Sequence, residues 1–253
     1  MFEFLELKDI CLSYHSLAGE TAALDHISFQ VRKGEFLSII GPSGCGKSTL
    51  LSFMAGLLKA EEGQMIFYDE GGRPFQPRIG YMLQKDHLFP WRTVFKNLTL
   101  GLEINHQLTE ENLELLEEML VKYGLSKFKD KYPHELSGGM RQRAALIRTL
   151  AIKPEILLLD EPFSALDYQT RLNVSDDIYS IIKSEGKTAV MVTHDLSEAI
   201  SLSERIVILS SRPAHVKNIV TLGFSLKERS PLLVRNAPEF KDYFNLLWKE
   251  LNE

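Results

Sequence analysis

The sequence predicts an α/β fold: a mixed, mainly parallel sheet core, an antiparallel β subdomain ahead of it and a helical lobe inserted within it. Three observations carry that expectation. Short, largely apolar runs recur along the chain at Phe36–Ile40, Ile156–Leu159 and Ala189–Val192, as strands buried on both faces do. Stretches with helical signals separate the later ones, the βαβ alternation that makes parallel pairing. The segment 94–135 interrupts the pattern with acid-rich helical periodicity.

Taken in order, Phe4–Leu7, Ile10–Tyr14 and Ile27–Val31 alternate apolar and polar residues and read as antiparallel strands, with Lys33 and Gly34 turning the chain into Glu35–Ile40. Gly41–Gly46 opens a helix expected to reach about Leu58, with Gly56 near its end. Gln64–Tyr68 and Ile79–Leu83 read as short strands. In Thr109–Tyr123, Leu113, Leu116 and Leu120 fall at helical spacing, and Gly124 supplies the stop. Gly138–Ile152 is the next helix, stopped by Pro154. Ile156–Asp160, Thr188–Thr193 and Arg205–Ser210 are buried strands separated by helices. Beyond Ser211 the expectation is one or two short strands, then the amphipathic stretch Glu239–Leu251. The whole reads as a single domain over 1–253. Residues 1–93 and 136–222 form the core with its β subdomain, 94–135 the lobe and 223–253 a short tail.

Composition narrows the classes. The 253 residues are 44% hydrophobic, enough for a sizeable core, and the net charge of −5 argues against a nucleic-acid partner. Cys11 and Cys45 have no metal-ligand spacing and suggest a reducing compartment. MFEFLELKDI reads as a strand rather than a signal peptide. No run reaches the roughly 18–20 apolar residues that span a bilayer, so any membrane role is expected to come through a partner.

Gly41, Pro42, Ser43, Gly44, Cys45, Gly46, Lys47, Ser48 and Thr49 fit G-x-x-x-x-G-K-[ST] between a strand and a helix, the context in which that pattern cradles phosphates. Glycines let backbone amides converge on an anion, and the helix N-terminus adds positive potential. Lys47 can reach β- and γ-phosphates, and the Ser48 hydroxyl can ligate Mg²⁺. Ile156–Leu159 leads into Asp160 and Glu161. A carboxylate at the C-terminal edge of a neighbouring strand lies near such a loop, so Asp160 is a candidate Mg²⁺ ligand and Glu161 a candidate general base for the attacking water. Leu136-Ser-Gly-Gly-Met-Arg-Gln-Arg143 offers a second helix start, with Ser137 as N-cap and Gly138 and Gly139 baring amides. One nucleotide cannot easily use both ends, so Ser137 and Gly139 are expected to serve a γ-phosphate held by another subunit. Cys45 has two readings: a thiol activated by the amide nest, or a small residue that fits the loop.

In the order of these motifs the chain resembles the ATP-binding cassette ATPases, the motor subunits of ABC transporters. LSGGMRQR is close to the family's LSGGQ signature, with Met140 in place of the usual Gln. The resemblance implies ATP and Mg²⁺ as ligands and a head-to-tail homodimer with a second ABC ATPase subunit. It also implies that Tyr14 stacks on adenine, that Gln84 approaches Mg²⁺ and the attacking water, that Asp167 in Ser164-Ala-Leu-Asp167 crosses the dimer interface, and that His194 contacts the γ-phosphate.

Leu88-Phe-Pro-Trp-Arg-Thr-Val94 places Phe89, Pro90 and Trp91 in a loop, where exposed aromatics suggest a partner surface. In ABC importers this region receives the permease. The stretch is similar to the nitrate/sulfonate/taurine group, which includes cassettes serving thiamine-precursor pyrimidines, as is Ser211-Arg-Pro-Ala214. That likeness implies transmembrane permease subunits as partners, an extracytoplasmic solute-binding protein as an indirect one, and a peripheral position on the cytoplasmic face of the membrane. The rival reading is a soluble ABC ATPase of iron–sulfur cluster assembly. Chromosome and DNA-repair relatives would carry a long coiled coil between the Gly41 and Ser137 motifs, and this chain has no sustained heptads there.

Overall fold

The computed structural model describes residues 2–16 and 19–252. Two sheets organise them. The first is antiparallel, in the order β2-β1-β4-β5, from β1 (Glu3–Ser16), β2 (Gly19–Arg32), β4 (Glu62–Tyr68) and β5 (Pro74–Phe75). The second runs β10-β9-β3-β8-β7-β6, from β3 (Phe36–Ile40), β6 (Ile79–Met82), β7 (Ile156–Asp160), β8 (Thr188–Val192), β9 (Arg205–Leu209) and β10 (Val216–Thr221). Every pairing in it is parallel except β9 with β10. All residues of β3, β7 and β8 are buried, which is why their sequences show no alternation.

The front sheet differs from the three short strands read from the pattern. Phe4–Leu7 and Ile10–Tyr14 belong to one strand of 14 residues, and its partner, also 14 residues long, starts at Gly19 rather than Ile27. A bulge explains the misreading. Asp9 has φ 51°, and the register shifts between Leu7 and Ile10, so the in–out alternation restarts within a single strand. The early part of β2 carries exposed Glu20, Thr21 and Ala22 and has no apolar face to announce it.

The helices are α1 (Lys47–Met54), α2 (Val94–Leu98), α3 (Leu100–Ile104), α4 (Glu110–Lys122), α5 (Gly138–Leu150), α6 (Tyr168–Ser184), α7 (Leu196–Leu202), α8 (Pro231–Arg235) and α9 (Glu239–Asn252). α1 stops short of Leu58 because Gly56, at φ 75°, turns into the left-handed region and donates to the Phe53 carbonyl. Residues 94–122 form α2, α3 and α4, whose Val94, Leu98, Leu102, Leu116 and Leu120 share a core with Leu146, Ile147 and Leu150 of α5. In the tail, α8 was not evident in the sequence. Val234 of α8 and Leu247 of α9 bury against Ile200 and Val220, which uses the amphipathic face expected of 239–251.

Parallel pairing brings several strand ends to one line. Ile39 is opposite Val192, Asp160 is opposite Val192, Met82 is opposite Leu159 and Ile40 is opposite Ile208. The segments that follow β3, β6, β7, β8 and β9 therefore emerge along a single edge of the sheet, the edge where open α/β sheets hold ligands.

Candidate active site

The loop from Gly41 to Gly46 leaves β3 at the centre of that edge. Gly44 and Gly46 have φ of 73° and 122°, values that side chains other than glycine rarely adopt. Gly41 is needed for space, since a Cβ there would stand 2.9 Å from Cys45 Sγ and 3.1 Å from Leu209 Cβ. Cys45 fills that contact from inside the loop with a relative exposure of 1%. Its burial supports the packing reading over the reactive-thiol one. Lys47 is buried, and its Nζ donates to the carbonyls of Gly41 and Pro42 at 2.9 Å each, so the loop's own backbone positions the ammonium.

Ser48 Oγ donates to Asp160 Oδ1 at 3.0 Å, which joins the helix start to the end of β7. Burial pushes the Asp160 carboxyl above its ordinary range; Ser48's hydroxyl opposes this and the charge of Glu161 adds to it. A hydroxyl and a buried carboxylate side by side are hard oxygen donors, and a cation between them would offset the desolvation of Asp160. The pair therefore fits Mg²⁺, which takes one or two protein oxygens and completes its shell with phosphates and water. Tyr81 Oη also lies 3.5 Å from Asp160 Oδ2, a neighbour that no local sequence pattern singles out.

Glu161 occupies a left-handed conformation, φ 44°, uncommon for a residue with a side chain and costing on the order of 1 kcal/mol. Its amide donates to the Val192 carbonyl at 2.9 Å, and its carbonyl accepts from Ser164 Oγ at 3.0 Å. That geometry turns the side chain off the strand line and toward two polar groups. Gln84 Nε2 donates to Oε2 at 3.2 Å, and His194 Nδ1 lies 3.0 Å from Oε1. Glu161, Gln84 and His194, read from three separate places in the sequence, thus form one cluster. Gln84 differs from expectation in one respect: its amide engages Glu161 rather than the Ser48–Asp160 pair. Tyr14, 42% exposed, reaches the loop through its hydroxyl, 3.0 Å from Thr49 Oγ1.

Ser43, Gly44, Gly46, Lys47, Ser48, Thr49, Glu161 and His194 line a cleft of about 570 Å³, and Arg212 joins them. Sequence reading used Arg212 only as part of a group likeness. Its place in the cleft depends on β9 lying beside β3, which no local pattern reveals.

The other expected site residues lie elsewhere. Ser137 is exposed and caps α5, accepting from the Met140 amide at 3.3 Å. Gly138 and Gly139 are also closely packed: a Cβ would come 2.9 Å from Leu166 Cδ2 at the first and 2.7 Å from Val174 Cγ2 at the second. Asp167, also exposed, caps α6 through the Thr170 amide at 3.1 Å, and the Thr170 hydroxyl, with that amide, holds its carboxyl below the ordinary range. In the aromatic loop Trp91 is 71% exposed and packs on half-buried Phe89, with ring centroids 4.9 Å apart, while Pro90 is exposed. Buried Asn97 holds this loop: its Oδ1 accepts from the Phe89 amide at 2.7 Å, and its Nδ2 donates to the carbonyls of Phe89, Arg92 and Thr93. Asn97 was unremarkable in the sequence because its partners are backbone groups.

Among the described residues no helix is long and apolar enough to cross a membrane. A family model described as ABC transporter matches residues 24–164. An uncharacterised ABC transporter ATP-binding protein of Bacillus subtilis is 47% identical over 251 residues, covering 98% of this chain and 96% of its own length. A nitrate import ATP-binding protein of Synechococcus elongatus is 43% identical over 234 residues, covering 90% of this chain and 35% of that longer protein. Among solved structures, a dimeric ATP-binding cassette in a post-hydrolysis state bound to ADP and Pi superposes with a TM-score of 0.71 at 31% identity, over 87% of this chain and all of that one. With its glycine loop, adjoining acidic pair and glycine-flanked helix in this arrangement, the chain belongs to the ABC transporter family and is an ATPase of the ATP-binding cassette fold.

Proposed function

We propose that this ATPase powers a membrane importer for a small solute of the nitrate/sulfonate/taurine or thiamine-precursor kind. The observation that carries the reading is the Phe89–Trp91 loop, which presents an exposed tryptophan from a backbone fixed by buried Asn97. A large aromatic held in solvent on a rigid mount is suited to a partner surface. The relative named for nitrate import supports the same choice.

In this proposal ATP lies along the cleft. Gly41–Thr49 cradles the phosphates and Tyr14 stacks on adenine. Ser48 and Asp160 hold Mg²⁺, which when bound supplies charge neutralisation between the phosphates. Glu161 accepts the proton of the attacking water, with Gln84 and His194 fixing its carboxylate. Ser137, Gly138 and Gly139 of a second copy close over the γ-phosphate, and Asp167 lies at that junction. Loss of the γ-phosphate then reopens the dimer, a ligand-switched interface. The division into core (1–93 and 136–222), lobe (94–135) and tail (223–253) belongs to the same proposal. So do the permease subunits, the extracytoplasmic binding protein and the peripheral cytoplasmic position.

The test uses Glu161→Gln. This variant is expected to bind ATP normally, to lose hydrolysis by at least about 100-fold and to persist as an ATP-dependent dimer. Purified from membranes in that state, it should bring down a polytopic membrane protein. Adding Phe89→Ala and Trp91→Ala should lose that protein while keeping the dimer. Recovery with a soluble assembly complex instead would overturn the importer reading.

A further inference from the structure

The carboxylates, Gln84 and His194 assigned to the cleft all come from one flank of the phosphate loop. β3 has β8 on one side and β9 on the other. His194 follows β8, Asp160 and Glu161 lie at the end of β7, and Gln84 follows β6. The opposite flank is the turn from β9 into β10, residues 210–215; its Ser211-Arg-Pro-Ala214 stretch entered above only as a group likeness, with no part in nucleotide chemistry.

That turn is firmly built. The Ser210 amide donates to the His215 carbonyl at 3.0 Å, and Ser210 Oγ accepts from the His215 amide at 2.9 Å. The turn is also pinned to the front sheet: the Ala214 amide donates to the Ala23 carbonyl at 3.0 Å, and the Asp25 amide donates to the Ala214 carbonyl at 2.8 Å. The same Ala23 carbonyl stands 3.1 Å from where a Cβ on Gly46 would be. The turn and the phosphate loop therefore lean on one shared segment of β2, and the position of the turn relative to the loop is fixed.

Arg212 sits in this turn and lines the cleft with the loop residues. Among the described residues no hydrogen bond or ion pair holds its guanidinium. Elsewhere in the chain arginines are engaged: Arg205 with Glu35, Arg171 with Asp195, Arg141 with Asp86. The cleft otherwise sets Lys47 against Asp160 and Glu161, and Lys47 already donates to the loop's own carbonyls. A polyanion entering it would find its uncommitted permanent cation in Arg212. Guanidinium is suited to that task, because its planar fork matches phosphate oxygens and its charge does not titrate.

We propose that Arg212 is a phosphate-binding residue of the nucleotide site, donating charge-assisted hydrogen bonds to ATP from the flank opposite Glu161 and His194. This rests on the cleft being the ATP site, as proposed above. Because the guanidinium holds nothing in the protein itself, its removal should act on nucleotide binding and leave folding stability alone.

The experiment measures the ATP dissociation constant and steady-state kinetics of the full-length protein at two salt concentrations. It compares the wild type with Arg212→Ala, Arg212→Lys and Arg212→Glu, with Lys47→Ala as control. Arg212→Ala should weaken ATP binding roughly tenfold, the usual scale for a hydrogen bond to a charged group. It should also flatten the salt dependence and raise KM more than it lowers kcat, at an unchanged melting temperature. Arg212→Lys should recover part of the affinity, and Arg212→Glu should be worse than Arg212→Ala. If Lys47→Ala abolishes binding while Arg212→Ala stays within twofold of wild type, the Arg212 proposal is wrong. If Lys47→Ala binds ATP normally, the cleft itself has been misassigned, a separate failure.

Discussion

At the start of α1 the chain encloses the glycine-flanked helix start. Lys47 is buried over the loop, Ser48 is tied to Asp160, and Glu161 stands across the cleft between Gln84 and His194. At the start of α5 the same local device, a glycine-flanked helix N-terminus, is left open. Ser137 is exposed and its hydroxyl is spent on the Met140 amide. Glycines serve the two ends differently. In the loop before α1 they supply left-handed backbone at Gly44 and Gly46, whereas at Gly138 and Gly139 they allow close approach to Leu166, just ahead of α6, and to Val174 within it. The first end has Asp160, Glu161, Gln84 and His194 clustered around it; among the described residues no such cluster is bonded to Ser137 at the second. A helix start without its own chemistry is useful to a nucleotide only if the chemistry arrives on another molecule.

The strongest test of that contrast separates the two ends genetically. Lys47→Ala disables the enclosed end, and Ser137→Asp places a negative charge where the open end would meet a phosphate. Each variant alone should lose hydrolysis by about 100-fold or more, the scale of removing one transition-state electrostatic group. Mixed together they should recover activity. In a mixed dimer the intact loop of one copy meets the intact Ser137 of the other, so random pairing restores about a quarter of the sites. A mixture as inactive as its components would mean that both ends serve a nucleotide within a single chain.

The enclosed end was the more legible in the sequence, for a physical reason. Its strands are buried on both faces, so their apolar runs stand out, and its loop needs particular residues at fixed spacing. What stayed hidden depends on distant parts meeting. Arg212 reaches the cleft only because β9 pairs with β3, and Asn97 matters only because three backbone carbonyls converge on its amide. The tie between the ends was equally invisible. Arg141 and Arg148 on the signature helix bind Asp86 and the carbonyls of Asp86 and His87, linking α5 to the loop that carries Trp91. The front sheet was misread because the bulge at Asp9 resets the alternation on which strand reading depends.

A smaller effect contrasts the two ends through their carboxylates. Glu198, beside the His194 turn, is pushed up to about 6 from 4.5, chiefly by burial. Thr193's hydroxyl opposes that shift, Asp195's charge adds to it, and Arg171 and His194 oppose it; Arg235 on α8 also faces Glu198. At the open end, Asp167 shifts the other way because the Thr170 hydroxyl, and with it the Thr170 amide, favours the charged form. For an acid whose folded pKa is raised, the stabilising contribution is complete below 4.5 and is lost as pH rises through about 6. Glu198→Gln should therefore flatten the slope of stability against pH in that window. Above pH 7 it should be more stable than wild type by up to about 2 kcal/mol. Urea unfolding across pH 4.5 to 8 reads both, and an unchanged slope would mean that Glu198 is not the group that titrates.

The smallest effect is the one that separates a cap from a ligand. Ser137 holds the Met140 amide, and loss of an N-cap costs about 1 kcal/mol. Ser137→Ala should lower unfolding free energy by about that amount while keeping part of the ATPase, since the backbone amides of Gly138 and Gly139 remain. Aspartate caps a helix as well as serine does, and its charge suits the helix dipole. Ser137→Asp should therefore match wild type in urea unfolding while losing hydrolysis, because its carboxylate faces the phosphate that the open end is proposed to meet. If Ser137 served only as a cap, the ranking would follow stability, with Asp active and Ala impaired. The opposite ranking requires an anion in front of α5 during turnover, and within this chain the only phosphate loop is at α1.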